Sequence, residues 1–228
     1  MQSQLEKLNN EIIRCRACPR LVEWREEVAR VKRKAYRDEE YWGRPVPGFG
    51  DPQARVLVVG LAPGAHGSNR TGRQFTGDAS GGFLFPALHR AGFASQAEAE
   101  SRTDGLVLKD MYITASGRCA PPDNKPTPEE LNTCQPFLER ELKLIQPKVI
   151  VCLGKIAFDR ILKIFVLRNL KFAHGATYQL PESSFIPHLS YLLCSYHPSQ
   201  QNTLTGKLTV GMFDAIWQEA KNLTNKDH

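Results

Sequence analysis

Two polar stretches carry most of the residues able to do chemistry. "GLAPGAHGSNRTGRQFTGDASG" (60–81) follows the apolar run "VLVV" (56–59), and "HPSQQNTLTG" (197–206) follows "YLLCSY" (191–196). In the first, Gly60, Gly64 and Gly67 let the backbone approach a flat ligand closely and expose N–H groups as an anion nest. The pattern is neither GxGxxG nor GxxxxGK(S/T), which disfavours a dinucleotide fold or a P-loop. A nucleotide-phosphate site of another kind and a plain strand-to-helix connection both remain open. Phe75 either plugs back into the core or offers a face on which a ring stacks. Asp78 reads as a helix cap, a turn residue or a general base. His197 ends a buried strand, Pro198 stiffens the exit, and Ser199, Thr203, Thr205 and Lys207 suit phosphate contacts.

Six cysteines divide by context. Cys152 in "VIVCLG" and Cys194 in "YLLCSY" sit in buried-strand patterns, where cysteine acts as a small hydrophobe. Cys15, Cys18, Cys119 and Cys134 lie in polar surroundings at C-x2-C and C-x14-C spacing. In a chain without a secretory signal such a set suggests metal rather than disulfides. Zinc and an iron–sulfur cluster both accept four thiolates, and spacing alone does not choose between them.

Short apolar runs and amphipathic segments alternate along the chain. Leu5, Leu8, Ile12 and Ile13 mark a helix over 3–13, a charged segment runs to about 40, and 41–52 reads as loop from its Pro and Gly. Strands are expected at 55–60, 111–116, 148–154 and 191–196, and helices at 81–92, 127–145, 155–165 and 210–223. The helix at 127–145 opens with Thr127 as N-cap, Pro128 at N1 and Glu130 as capping-box partner. The alternation predicts an α/β fold with a mostly parallel sheet covered on both faces. Ligands in such sheets bind beyond the carboxyl ends of the strands, so the loops at 60–81, 115–126 and 197–207 should meet in one cleft.

At 228 residues, with 24% charged and 41% hydrophobic side chains, the chain suits one well-cored domain. No stretch reaches the roughly 20 apolar residues of a membrane span, and a cytosolic protein is expected. The net charge of +6 is unevenly placed. Residues 14–44 hold ten Lys/Arg against six Asp/Glu, residues 140–175 hold eight against two, and 52–77 and 183–213 hold no acid. That placement makes a polyanion such as nucleic acid a candidate partner.

Together the 60–81 loop, "RCAPPDNKPTPEE", "HPSQQNTLTG" and the four cysteines resemble the uracil-DNA glycosylase superfamily. The resemblance is to its iron–sulfur branches and most closely to the one called UDGb or family 5, and it runs from Cys15 to the final helix. It implies a three-layer α/β/α sandwich with a central four-stranded parallel sheet. It implies a single domain over 1–228 acting as a monomer on DNA that contains uracil or other deaminated bases. It also implies a structural 4Fe–4S cluster on Cys15, Cys18, Cys119 and Cys134 that ties down residues 1–50. Gly60, Leu61, Ala62, Pro63 and Gly64 would border the base pocket, Phe75 would stack on the base, and His197 would hydrogen-bond it. Arg70, Arg73, Ser199, Thr205 and Lys207 would contact DNA. Family 4 has an acid where Leu61 stands and its uracil-reading Asn where Ala115 stands. Asp78 and Asn124 are the nearest polar replacements, although Asp123 competes with Asn124.

The chemistry implied is hydrolysis of the N-glycosidic bond, with positive charge building on the sugar and negative charge on the departing base. Electrostatic stabilisation by His197 and backbone N–H groups would outweigh proton abstraction, and Asp78 would position water or face the sugar. A pocket with few polar discriminators would also accept hypoxanthine. The alternative is a non-catalytic, zinc-stabilised nucleic-acid-binding protein.

Overall fold

In a computed structural model, which describes residues 3–226, each of the four apolar runs becomes a strand of one sheet. In chain order the elements are α1 (Gln4–Arg14), α2 (Pro19–Val31), β1 (Phe49–Gly50), β2 (Val56–Gly60), α3 (Ser68–Thr71), α4 (Ala79–Arg90) and β3 (Met111–Ala115). They continue with α5 (Pro128–Ile145), β4 (Val149–Leu153), α6 (Lys155–Ile164), β5 (Thr177–Leu180), β6 (Ser190–Ser195), α7 (Gln200–Leu204) and α8 (Val210–Thr224).

The sheet order is β1-β3-β2-β4-β6-β5. The inner four strands are parallel, in a register that aligns Ile113, Val58, Val151 and Leu193. The expected four-stranded sheet is therefore the interior of a six-stranded one, closed at each edge by an antiparallel strand. Both edges are faint in the sequence. β1 is two residues inside a Pro/Gly-rich stretch, and β5 buries only Leu180 of its four residues.

Every residue of β2, β3 and β4 is buried, as a sheet covered on both faces requires. Pleating divides the core. Val56 and Val58 join Leu84 and Leu88 of α4 and Phe213 and Trp217 of α8. Leu57 and Val59 face Leu8 and Ile12 of α1, Leu138 and Leu142 of α5, and Phe158 and Ile161 of α6. The result is the three-layer α/β/α arrangement.

The capping box at α5 forms as its sequence dictates: Thr127 Oγ1 accepts from Glu130 N at 3.2 Å, and Glu130 Oε2 accepts from Thr127 N at 2.8 Å. α2 was not expected as a helix, because its buried residues Leu21, Val22 and Val28 are spread thinly among charges. Among the described residues no helix is long and apolar enough to cross a membrane.

Candidate active site

Because the inner strands are parallel, their carboxyl ends share one edge of the sheet, and the loops leaving them enclose a cleft of about 760 Å³. Leu61, Phe75, Asp78, Ala115, Asn124 and His197 all reach it.

Phe75 adopts a left-handed backbone (φ 53°), which few non-glycine residues do. The turn sends its ring back over β2, so close that a Cβ on Gly60 would lie 2.7 Å from Cζ. The ring is only 8% exposed and packs with Val58 and Leu84, yet it also meets the His197 ring, with centroids 5.9 Å apart at 33°. Core plug and cleft wall are one side chain. A ring sandwiched between two others needs about 7 Å, twice a van der Waals contact, so the 5.9 Å between Phe75 and His197 leaves no room for a flat ligand between the two rings.

His197 follows β6 by two residues. Its backbone carbonyl accepts from Asn202 Nδ2 at 2.9 Å, while its ring nitrogens make no hydrogen bond to the described residues. Burial lowers its pKa to about 4, so the imidazole is neutral at pH 7 and has one N–H to give.

Asp78 is the N-cap of α4: Oδ1 accepts from Gly81 N at 3.0 Å. Oδ2 lies against the glycine loop, where a Cβ on Gly67 would come within 2.1 Å and one on Gly64 within 3.2 Å. Burial raises its pKa, against the opposing pull of the Gly81 and Ser80 amides and of Arg70. Asp78 thus caps a helix and faces the cleft at once. Asp123 and Asn124 sit side by side in a tight turn, both left-handed (φ 53° and 57°), exposed and at the cleft rim. Leu61 and Ala115 make the floor apolar.

The two arginines expected at DNA are turned inward. Arg70 is 8% exposed; it donates to the carbonyls of His66 and Gly77, pairs with Glu39 and lies 3.9 Å from the centre of the Tyr36 ring. Arg73 is 6% exposed and binds Asp104 through both terminal nitrogens at 2.8 and 2.6 Å. Both guanidinium groups are spent on holding the loop, which needs internal partners because it has no ladder. Ser199 caps α7 at the cleft, Thr205 donates to the Gln201 carbonyl, and Lys207 is exposed with Nζ 5.0 Å from the Tyr196 ring centre.

Three residues not singled out from sequence also line the cleft: Arg33, Tyr36 and His66. His66 Nδ1 lies 3.1 Å from Tyr41 Oη, and burial, with Arg33 and Arg70, lowers its pKa. His66 stands inside "GLAPGAHG", where it is the one ionisable side chain. From its sequence the basic and aromatic 30–50 segment suits either contact with DNA or packing around the cysteines; the fold brings its Arg33 and Tyr36 to the cleft.

Cys15, Cys18, Cys119 and Cys134 line one cavity with Leu21, Val22 and Phe137. Cys15 ends α1, Cys18 starts α2, Cys119 follows β3, and Cys134 lies in α5. Burial pushes the Cys119 thiol up to about 11 and the Cys134 thiol to about 12. Opposing it, Arg25 Nη1 donates to Cys119 Sγ at 2.9 Å. Among the described residues, no three His, Cys, Asp or Glu side chains are gathered tightly enough to hold a metal ion. Four thiols around an apolar cavity, with a buried cation beside one, fit a thiolate-bound cluster in donor type.

The family model described as "Uracil DNA glycosylase superfamily" matches residues 47–221. A protein named Type-5 uracil-DNA glycosylase from Thermus thermophilus is 57% identical over 212 residues, covering 92% of this chain and 93% of that one. Its namesake from Mycobacterium leprae is 51% identical over 224 residues, covering 96% and 95%. That from Pyrobaculum aerophilum is 45% identical over 211 residues, covering 92% and 89%.

Proposed function

The chain belongs to the uracil DNA glycosylase superfamily, and from that premise we propose that it removes uracil from DNA by hydrolysing the N-glycosidic bond. The observation that carries this reading is the pairing of Phe75 with an unpartnered, neutral His197 at the cleft. One offers a face to a flat base, the other a hydrogen bond to its edge.

The target nucleotide leaves the stack at a cost of a few kcal/mol, least at a mismatch such as U·G. Its base rests on Phe75. As the bond from N1 to the sugar breaks, its electron pair moves into the uracil ring and onto the carbonyl oxygens. The His197 N–H donates to such an oxygen and keeps its proton, since an imidazole protonating only near pH 4 is a hydrogen-bond donor here rather than an acid. Backbone N–H groups of Gly60–Gly64 add to the same stabilisation. The Asp78 carboxylate faces the developing positive sugar and orients the water that attacks it. Uracil leaves as its anion, the attacking water adds to C1′ and gives its proton to the Asp78 carboxylate and from there to solvent, and DNA is left with an abasic site.

Asn124 is read as the hydrogen-bonding group at the far edge of the base, over a floor of Leu61, Ala62 and Ala115. That floor offers no side-chain group to discriminate against other bases, which supports hypoxanthine as a second substrate. Ser199, Thr205 and Lys207 are read as backbone contacts to DNA. Cys15, Cys18, Cys119 and Cys134 are read as ligands of a 4Fe–4S cluster. When bound, it would act as a structural cross-link fastening the α1–α2 junction to the loop after β3 and to α5, which makes residues 1–228 one domain. All these groups come from one chain, which supports a monomer as the working unit.

Incubation with a duplex containing one U·G pair, followed by alkali, tests the function. A strand break at the uracil is expected, and an intact strand overturns the reading.

A further inference from the structure

Beside the strand end, where the Gly154 N–H holds the Ser195 carbonyl at 2.8 Å, the backbone that carries His197 has three further fastenings. Ser195 Oγ donates to the Tyr196 carbonyl and Asn202 Nδ2 to the His197 carbonyl, each at 2.9 Å. The third fastening is another histidine: the Tyr196 N–H donates to His174 Nδ1 at 3.1 Å. His174 precedes β5, and its ring stacks on that of Tyr196 with centroids 5.1 Å apart at 28°. Its other nitrogen, Nε2, lies 3.3 Å from the Met212 carbonyl in the first turn of α8.

These contacts fix the ring's chemistry. A backbone N–H only donates and a carbonyl only accepts, so Nδ1 is bare and Nε2 carries the proton. His174 is then a neutral bridge between α8 and the peptide leaving β6. Tyr196 N lies one residue beyond the strand, where the sheet no longer supplies a partner. Without His174 that amide loses its acceptor, and the Ser195–Tyr196 peptide keeps only the Gly154 N–H, which donates to the Ser195 carbonyl at 2.8 Å.

We propose that His174 is a positioning residue for base excision: by holding the Tyr196 amide it sets, together with the Gly154 N–H on the Ser195 carbonyl, the orientation of the Ser195–Tyr196 peptide from which the chain runs on to His197. It touches neither base nor sugar, and the inference rests on the role given to His197 above. A shift of the His197 donor by a fraction of an ångström weakens a hydrogen bond made only as the glycosidic bond breaks.

The test compares wild type, His174→Phe, which keeps the ring stack but has no acceptor, and His174→Asn, whose Oδ1 replaces Nδ1. Single-turnover excision of uracil from a U·G duplex is followed with duplex affinity, together with hydrogen exchange of the Tyr196 amide and the ring 15N shifts of His174. The Phe variant should lose roughly tenfold to a hundredfold in single-turnover rate at unchanged duplex affinity. Its Tyr196 amide should exchange faster, and the Asn variant should recover most of the rate. Wild-type shifts should be pyridine-like at Nδ1 and pyrrole-like at Nε2. A Phe variant as fast as wild type, equal losses in both variants, or a proton on Nδ1 overturns the proposal. If wild type releases no uracil, it is the functional reading that fails, while the exchange rates and 15N shifts still decide whether His174 holds the Tyr196 amide.

Discussion

The ring of Phe75 lies directly on the backbone of Gly60, so that a single methyl group at position 60 would stand 2.7 Å from Cζ. The glycine that ends β2 thus sets where the aromatic wall of the cleft stands. Gly60→Ala must push that ring toward His197 and should reduce uracil excision at least tenfold while the protein still folds. Gly82→Ala, in helix α4 with nothing within 4 Å, is the control. It should leave activity unchanged and raise stability by about 0.5–1 kcal/mol through helix propensity. Equal activity in both variants would remove Gly60 from the argument.

His197→Ala should lower the rate of bond cleavage by about 10²–10³-fold, the cost of one donor aimed at a developing anion. Affinity for uracil-containing duplex should change little, because the donor matters most as charge forms. Loss of affinity with an unchanged single-turnover rate would mean that His197 only binds.

The acidic behaviour of His197 follows from its burial. The folded-state pKa of about 4 lies below the usual value of 6.5. Between those values the unfolded chain binds a proton that the native state does not. Its effect on stability is therefore absent above about pH 6.5 and grows unfavourable as pH falls toward 4. Titration of the His197 ring by NMR should show a midpoint far below 6.5. A midpoint near 6.5 would mean the ring is solvated and charged in weak acid.

Arg73 should behave as part of the fold. Arg73→Ala leaves the half-buried Asp104 carboxylate with only its backbone N–H donors and should cost about 1.5–3 kcal/mol in unfolding free energy, with no change in the salt dependence of DNA binding. Lys207→Ala should do the reverse, lowering the slope of log affinity against log salt by about 1 at unchanged stability. A salt slope altered by Arg73→Ala would return that residue to the DNA interface.

Purified anaerobically, the protein should carry iron and acid-labile sulfide in equal amounts and show the visible absorption of an iron–sulfur chromophore. Cys119→Ser and Cys134→Ser should each lose both. Zinc with no sulfide in wild type would replace the cluster with a mononuclear site.

The inner strands and the helices were legible because their signals are local. Unbroken apolar runs such as "VLVV" and "VIVC" and the Thr127–Glu130 box need no knowledge of distant residues. α2 was hidden because its helical stripe is narrow and interrupted by charge, and β5 because an edge strand buries little. At the site, Phe75, Asp78 and His197 could be named from the loops they occupy, and the loops meet because parallel strands end together. Arg70 and Arg73 misled because a basic residue in a polar loop reads as a surface contact. Only the fold reveals Glu39 and Asp104 as their partners. Arg33 and Tyr36 reach the cleft from the far side of the loop, a juxtaposition that no short stretch of sequence encodes.

The central claim is that Phe75 and His197 frame a pocket where uracil is cut from DNA. The most direct measurement identifies the small molecule released from a U·G duplex, by mass spectrometry, with wild type and His197→Ala side by side. Free uracil and an abasic strand are expected from wild type, and at least a hundredfold less of both from the variant. A duplex returned intact by wild type, or uracil released equally by both proteins, would contradict it.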